Sequence, residues 1–346
     1  MDKLYAGVDL HKRFSVITVL DKEGTVIEEA KIETDNEKTK AFFAKFETEM
    51  DIAAEATFNA EWFHTLMDGE GGKKVVLANP SRTKAIGSGA AKTDRIDAKM
   101  LADLLRSNML PRSVVPNERE RTFQEMIRYR HFLVRIQTML KNRIHSYLHR
   151  CNIKYEHVCS DLFGVKGLAY LSSIQFPSRF QEHVKLFTYL LEQVRSMITE
   201  ATKQIITTGK EVKEITLLQT IPGIGPHIAM LIMGEIKDIT RFVNGKRLCS
   251  FAGLVPRIYQ SADMKRTGHI TKQGSRYLRW GMSEAVQRLR YQDSQLGKQY
   301  RRYEKKKGTN MANIIMARKL LLVIYQMLTT TTPYQAYPHV NAGHSS

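Results

Sequence analysis

KTDRIDAKMLADLL, residues 92–105, reads as a helix with carboxylates on its packing side. At about 100° per residue, Ile96, Met100, Leu101, Leu104 and Leu105 form one apolar arc, and Arg95, Lys99 and Arg106 gather opposite. Asp97 falls in the middle of the apolar arc, and Asp94 lies on the same side near its edge. A carboxylate on a packing face is costly unless a partner or a metal takes its charge. The plainer reading is a helix start, with Asp94 as cap and Asp97 in the first turn. Other carboxylates have to decide between the two.

Upstream, Leu4, Ala6, Val8 and Leu10 alternate with Tyr5, Gly7 and Asp9, and a β-rich FSVITVL follows, so two paired strands are expected. A third strand spans about Thr25 to Ile32, and a helix from about Asn36 to Glu49 opens behind Thr34 and Asp35 as capping candidates. A short buried strand Asp51 to Glu55, a helix around Ala60 to Met67, the turn GEGG and the apolar strand KVVLAN bring the chain to Pro80. Three antiparallel strands, then helices alternating with two short strands, describe a ribonuclease-H-like α/β layer, closed by the 92–105 helix. In such a sheet Asp9 and Glu55 stand at adjacent ends of parallel strands, and the helix with Asp94 and Asp97 packs over that end. Carboxylates gathered there repel unless divalent cations sit among them, and hard oxygen donors suit Mg²⁺ or Mn²⁺. Two such ions about 3.5–4 Å apart clamp both oxygens of an in-line phosphoryl displacement.

The chain has 346 residues, a formal charge of +18 and 42% hydrophobic content, enough for two or three domains with real cores and suited to a polyanionic partner such as nucleic acid. The same charge fits a ribosomal-type binder, so it does not by itself argue for catalysis. Cys151, Cys159 and Cys249 show no zinc-type pairing and imply no disulfide framework, which suits a reducing cytoplasm. The N-terminus lacks a signal-peptide core, and no uninterrupted apolar run approaches the roughly 18 residues of a membrane span.

From Asn117 to Cys151 the pattern is long and helical; nine Lys/Arg stand against three Glu between Asn117 and Tyr155. Phe123, Met126, Leu133, Leu140, Ile144 and Tyr147 nearly mark a heptad seam, interrupted by Arg130 and Gln137. Val184 to Thr207 supplies a second helix to pair with it, as an arm or a dimerising coiled coil, and the basic load points Arg128, Arg135 and Arg143 at a nucleic-acid backbone. A helical spacer is the bland alternative. In LLQTIPGIGPHIAMLIMGEI the turn at Gly223 and Gly225 resembles a helix-hairpin-helix, whose free backbone N–H groups take a phosphate. Arg257, Lys265, Arg266, Lys272, Arg276 and Arg279 then surround Ser261 in a turn-rich segment, followed by helices through Met282 to Arg290 and Asn310 to Leu328. The fold expected is α/β plus α: a ribonuclease-H-like domain over 1–115, a helical arm over 116–212, a mostly helical domain over 213–330 and a disordered tail over 331–346.

GVDLHK, the Glu-Ala-Thr run at Glu55, KTDRIDAKMLADLL, IPGIGPHIA, FAGLVPRIYQS and GHITKQGSRYLRW together resemble the DEDD transposases of the insertion sequence one-ten family, across nearly the whole chain to about Leu328. The resemblance implies a RuvC-like domain in which Asp9, Glu55, Asp94 and Asp97 bind metal, and a C-terminal domain in which Ser261 is the nucleophile. It also implies a structured guide RNA, the bridge RNA, that pairs with donor and target DNA, and a homodimer or homotetramer whose protomers share a composite site. Two positions depart from the pattern: Phe58-Asn59 stand where glycine is expected, and Ala262 follows the serine.

A serine attacking phosphate needs its phosphoryl oxygens stabilised, for which Arg257, Lys265 and Arg266 are placed, and a base or metal to take its proton. His269 is the one histidine close in sequence, and His11, on the strand face of Asp9, is expected to support rather than ligate. The first reading is therefore a recombinase working through a phosphoserine. A RuvC-like nuclease or junction resolvase using water, and a non-catalytic nucleic-acid scaffold, stand against it; the scaffold leaves Asp97 without a reason.

Overall fold

The computed structural model describes residues 3–86, 93–156, 158–261 and 264–334. It forms two compact units, Met1–Val115 and Pro116–Ser346. The first is mixed α/β around a sheet, and the second is mostly helical.

The sheet has five strands, β1 (Leu4–Leu10), β2 (Phe14–Leu20), β3 (Val26–Glu33), β4 (Met50–Glu55) and β5 (Lys73–Ala78), in the order β3-β2-β1-β4-β5. The β1/β2 and β2/β3 pairs are antiparallel, whereas β1/β4 and β4/β5 are parallel. This follows from the connections: a tight turn joins β1 to β2, and helices join the parallel strands. Helices α1 (Asn36–Ala44) and α2 (Ala60–Met67) cover one face, where Phe42, Phe43, Phe63 and Met67 meet Ala6, Val8, Leu10, Ile17 and Ile52. Asp35 caps α1 by accepting from the N–H groups of Glu37 and Lys38.

After the short α3 (Pro80–Ile86), helix α4 (Asp94–Arg106) lies on the other face, where Leu101, Leu104 and Leu105 meet Ala53, Val76 and Ala78. Two details of the 92–105 reading change. The N-cap is Thr93, whose hydroxyl accepts from Ile96 N–H, so Asp94 is the first helical residue. Ile96 is 46% exposed, and the packing stripe runs instead through the small residues Ala98 and Ala102 to Leu101 and Leu105.

The second unit begins with α5 (Glu118–Arg150), closed at its start by a reciprocal capping box between Asn117 and Glu120. After α6 (Val165–Ser173), α7 (Ser178–Gly209) runs back along α5, with Leu133, Val194 and Ala201 buried between them. At the far end Ile144, Tyr147 and Leu148 join Phe163, Phe176, Phe180 and Val184, a cluster that ties α6 to the pair. The remaining elements are α8 (Lys213–Gln219), α9 (Pro226–Ile236), α10 (Gly245–Phe251), the hairpin β6 (Pro256–Ser261) and β7 (Met264–Ile270), α11 (Arg276–Leu289), α12 (Gln295–Lys307) and α13 (Thr309–Thr330). They share one core with Phe123 and Ile127 of α5 and Ile205 of α7. The segment expected to be turn-rich is thus a two-stranded hairpin. Helix α13 has the length and mean hydropathy, 1.4, of a membrane span. Arg318 and Lys319 interrupt it, however, and Leu320, Leu321, Ile324 and Met327 are fully buried in the core. Of the tail expected to be disordered, residues 335–346 lie outside the described residues.

Arg130, which breaks the heptad seam, bridges three helices: its Nε donates to Thr202 Oγ1 of α7 at 2.6 Å and its Nη1 to His227 Nε2 of α9 at 2.6 Å. Burial first, then the charges of Arg130, His131 and Arg288, push His227 down from 6.5 to about 4. In the unfolded chain the imidazole takes up its proton near 6.5, so between those values the unfolded state binds more protons and folding is favoured less as pH falls. The expected loss of stability from pH 6.5 to 4 is on the order of 2 kcal/mol from this residue, added to same-sign contributions from His131 and His145, both also lowered by burial. Thermal unfolding of His227→Gln against pH should show a flatter decline. Identical slopes in the two proteins would place the loss elsewhere.

Candidate active site

Asp9 comes within reach of α4 because β1 carries no side chain where the helix crosses it. A Cβ on Gly7 would lie 1.9 Å from the Ala98 carbonyl oxygen and 2.6 Å from Ala102 N, so only glycine on the strand, with alanines on the helix, permits the approach. Asp9 shares the face of Gly7, one strand period further on. The parallel register pairs Gly7 with Ala53 and Val8 with Ala54, so Glu55, the last residue of β4, comes level with Asp9 on the neighbouring strand. The first turn of α4 then brings in Asp94 and Asp97.

His11 stands between two of these carboxylates. Its Nε2 is 3.0 Å from Asp9 Oδ2 and 3.5 Å from Asp94 Oδ1. Among the described residues, Asp9, His11 and Asp94 are the set whose donor atoms all lie within 4.8 Å of one another. Burial raises the Asp9 carboxyl above the usual range; His11 opposes this, and the charges of Asp94 and Asp97 add to it. Asp97 is thus close enough to be felt at Asp9, although it and Glu55 are not in the compact donor set. A half-buried carboxylate repelled by its neighbours is a donor set short of positive charge, and two hard oxygens with an imidazole suit a divalent cation. The residues present fit such an ion.

The backbone of His11 is held as firmly as its ring. Its carbonyl accepts from Thr34 Oγ1 at 2.9 Å and from Asn59 Nδ2 at 3.1 Å, and its N–H donates to Phe14 O at 3.0 Å. Asn59, at a position where glycine is expected, therefore braces the turn after β1 against the loop after β4. The alternation of Asp9 and His11 signals that they share a face; the Asn59 contact, across 48 residues, has no sequence signal.

In the second unit Ser261 ends β6 and pairs in register with Met264, so it sits at the tip of the hairpin. Lys265 and Arg266 occupy the facing strand, paired with Gln260 and Tyr259. The base is clamped: Thr271 N–H donates to Val255 O, Ser275 N–H to Phe251 O and Arg279 Nη1 to Ala252 O. Arg257, Lys272 and Arg276 are exposed near that base. On α5, Arg135 and Arg143 are exposed, whereas the Arg128 guanidinium donates to buried Glu235 at 3.1 Å and lies over the Tyr277 ring. Gly223, at φ +86°, lets the α8–α9 turn approach α11, with Ala285 O 3.0 Å from where a Cβ would be; Gly225 precedes α9 as its N-cap.

Known proteins match both parts of this arrangement. The DEDD transposase family model of the IS110 group matches residues 6–153, which contain Asp9, Glu55, Asp94 and Asp97. The model described as transposase IS116/IS110/IS902 family matches residues 215–301, which contain Ser261. A probable family 20 transposase of Pseudomonas aeruginosa is 22% identical over 95% of this chain and 98% of its own length. The transposase for insertion sequence element IS1111A of Coxiella burnetii is 22% identical over 95% of this chain and 90% of its own. The pilin gene-inverting protein of Moraxella bovis is 29% identical over 36% of this chain and 39% of its own. The chain belongs to the IS110 family of transposases, enzymes that cut and recombine DNA.

Proposed function

We propose that this transposase cuts and rejoins donor and target DNA through a phosphoserine at Ser261, guided by a structured RNA, with Mg²⁺ or Mn²⁺ held by Asp9, Glu55, Asp94 and Asp97 of a RuvC-like domain. The observation that carries the reading is the gathering of Asp9 and Asp94 at one sheet end, with Asp97 felt at Asp9 and Glu55 level with it. A bound divalent ion supplies Lewis acidity and a lowered pKa for a coordinated hydroxyl or water. Asp9 and Asp94, with Glu55 and Asp97 beside them, would hold and orient it, and His11, 3.0 Å from Asp9 Oδ2, steadies the Asp9 carboxylate.

In the cleavage step the Ser261 Oγ forms a bond to phosphorus and gives up its proton, while the P–O bond to the departing strand breaks and that oxygen is protonated. Attack by the hydroxyl of an incoming strand reverses the chemistry and frees the serine. Arg257, Lys265 and Arg266 neutralise the phosphoryl oxygens. Arg135 and Arg143, and the α8–α9 turn read as a helix-hairpin-helix, contact nucleic-acid backbone, as do Lys272 and Arg276. The active assembly is a homodimer or homotetramer.

Ser261→Ala should abolish a covalent protein–DNA adduct while leaving nucleic-acid binding within about twofold, under 0.5 kcal/mol. Mixing it with Asp97→Asn protein should restore adduct if the two halves come from different protomers. An adduct from Ser261→Ala alone would sink the serine mechanism in favour of hydrolysis by water.

A further inference from the structure

Phe58 is 93% exposed, in the loop that directly follows Glu55. An aromatic ring held in water beside a carboxylate cluster contributes nothing to the core, and the loop that holds it is braced. Thr57 N–H donates to Glu55 O at 2.7 Å, Ala60 N–H donates to Thr57 O at 3.3 Å, and Asn59 Nδ2 grips the His11 carbonyl. That last interaction places Phe58 beside the β1–β2 turn, whose Lys12 and Arg13 are exposed. Among the described residues neither cation has an ion-pair partner, and the turn is fixed by His11 N–H to Phe14 O at its base and Thr34 N–H to Arg13 O at its side. One aromatic face and two cations on rigid loops are the elements of a site for an unpaired nucleic-acid strand: the ring stacks on a base, and the cations meet the phosphates.

We infer that Phe58, Lys12 and Arg13 form a strand-holding subsite at the carboxylate end of the sheet, in which Phe58 stacks on an unpaired DNA base next to the bond to be cut. The inference rests on the reading of Asp9 and its neighbours as the cutting site. Stacking onto every base's π-face makes the interaction indifferent to sequence and dependent on aromaticity.

The test uses the full-length protein in EDTA, where cutting is off, and a single-stranded DNA oligonucleotide carrying a fluorescent adenine analogue. Phe58→Ala should weaken binding about tenfold and remove the quenching that stacking produces; Phe58→Trp should keep both, and Phe58→Leu should behave as Phe58→Ala. Lys12→Gln with Arg13→Gln should lower the salt slope by roughly 0.7 for each phosphate no longer neutralised. Unchanged affinity in Phe58→Ala, or full retention in Phe58→Leu, overturns the proposal; so does a change in oligomeric state with no change in quenching, which would make Phe58 part of a protein–protein interface. Asp9→Asn separates the two readings: if it still cuts DNA the carboxylate reading fails, whereas the quenching in EDTA reports on Phe58 alone.

Discussion

Asp9→Asn should lose metal-dependent DNA cutting by at least about a thousandfold, equivalent to ~4 kcal/mol of barrier, while the N-terminal unit becomes no less stable. The two effects share one cause. Burial and the charges of Asp94 and Asp97 hold the Asp9 carboxyl above the ordinary range, so at neutral pH its ionised form is disfavoured in the fold relative to the unfolded chain. Asparagine removes the repelled charge but keeps an oxygen that can accept from His11 Nε2, 3.0 Å away. Function loses a donor that lies within 4.8 Å of those of both His11 and Asp94, and folding loses a repulsion. The measurement is Mg²⁺-dependent cleavage beside thermal unfolding followed by Trp62, the tryptophan of this unit. Full cleavage would remove the metal site from the account; a large fall in melting temperature would mean that Asp9 is a structural partner of His11 instead.

The strands of the N-terminal unit are legible in the sequence because β1 alternates, β2 is rich in β-formers, and β4 and β5 are short apolar runs between turn signals. Alternation through Leu4 to Leu10 separates the face of Asp9 from that of Leu10, and the parallel neighbour of β1 bears Glu55 at the matching height. The 92–105 helix is legible as a helix, but hydropathy misplaces its buried stripe: apolar Ile96 faces solvent, and Ala98 and Ala102 take the inner line. Size decides this rather than hydropathy, because the helix axis must come down onto Gly7. The hairpin bearing Ser261 reads as irregular because Arg257, Gln260, Lys265 and Arg266 obscure any apolar alternation in its sequence, although its strands pair in register. The helices α6, α10 and α12 leave no clear pattern, being short or strongly polar, with their stability supplied by clusters assembled from distant segments.

Glu235 shows what local patterns cannot carry. It sits in AMLIMGEI, an otherwise apolar stretch, and its side chain is 2% exposed. Four groups converge on it: Arg128 Nε at 3.1 Å and Gln124 Nε2 at 3.3 Å from α5, Ser275 Oγ at 2.7 Å from the start of α11, and, at its backbone carbonyl, Arg241 Nη2 at 3.1 Å. Ser275 is also the N-cap of α11 and donates its N–H to Phe251 O, so the carboxylate ties the long α5 to the segment that closes the base of the Ser261 hairpin. Its partners on α5 lie 107 and 111 residues away in sequence, beyond any window in which a pattern could be seen.

Glu235→Ala leaves the Ser275 hydroxyl without its acceptor, takes from the buried Gln124 amide one of its two acceptors, the other being Gly234 O at 3.2 Å, and leaves Arg128 with only the exposed Glu125 carboxylate at 3.5 Å, at an expected cost of about 3–5 kcal/mol. Arg128 is 34% exposed at its side chain, so water recovers part of its solvation and the lower end of that range applies. At roughly 2–4 °C per kcal/mol for a unit of this size, the melting temperature of the second unit should fall by about 6–12 °C. Glu235→Gln keeps an acceptor for Ser275 and should recover about half of the loss, because the charge that matches Arg128 is still missing. Trp280, the tryptophan of this unit, packs against His131 of α5 and reports the transition. A Glu235→Ala protein that melts with the parent would mean that the three donors find water or one another. The link from α5 to the hairpin base would then rest on Phe123 and Ile127 packing in the shared core, not on the carboxylate.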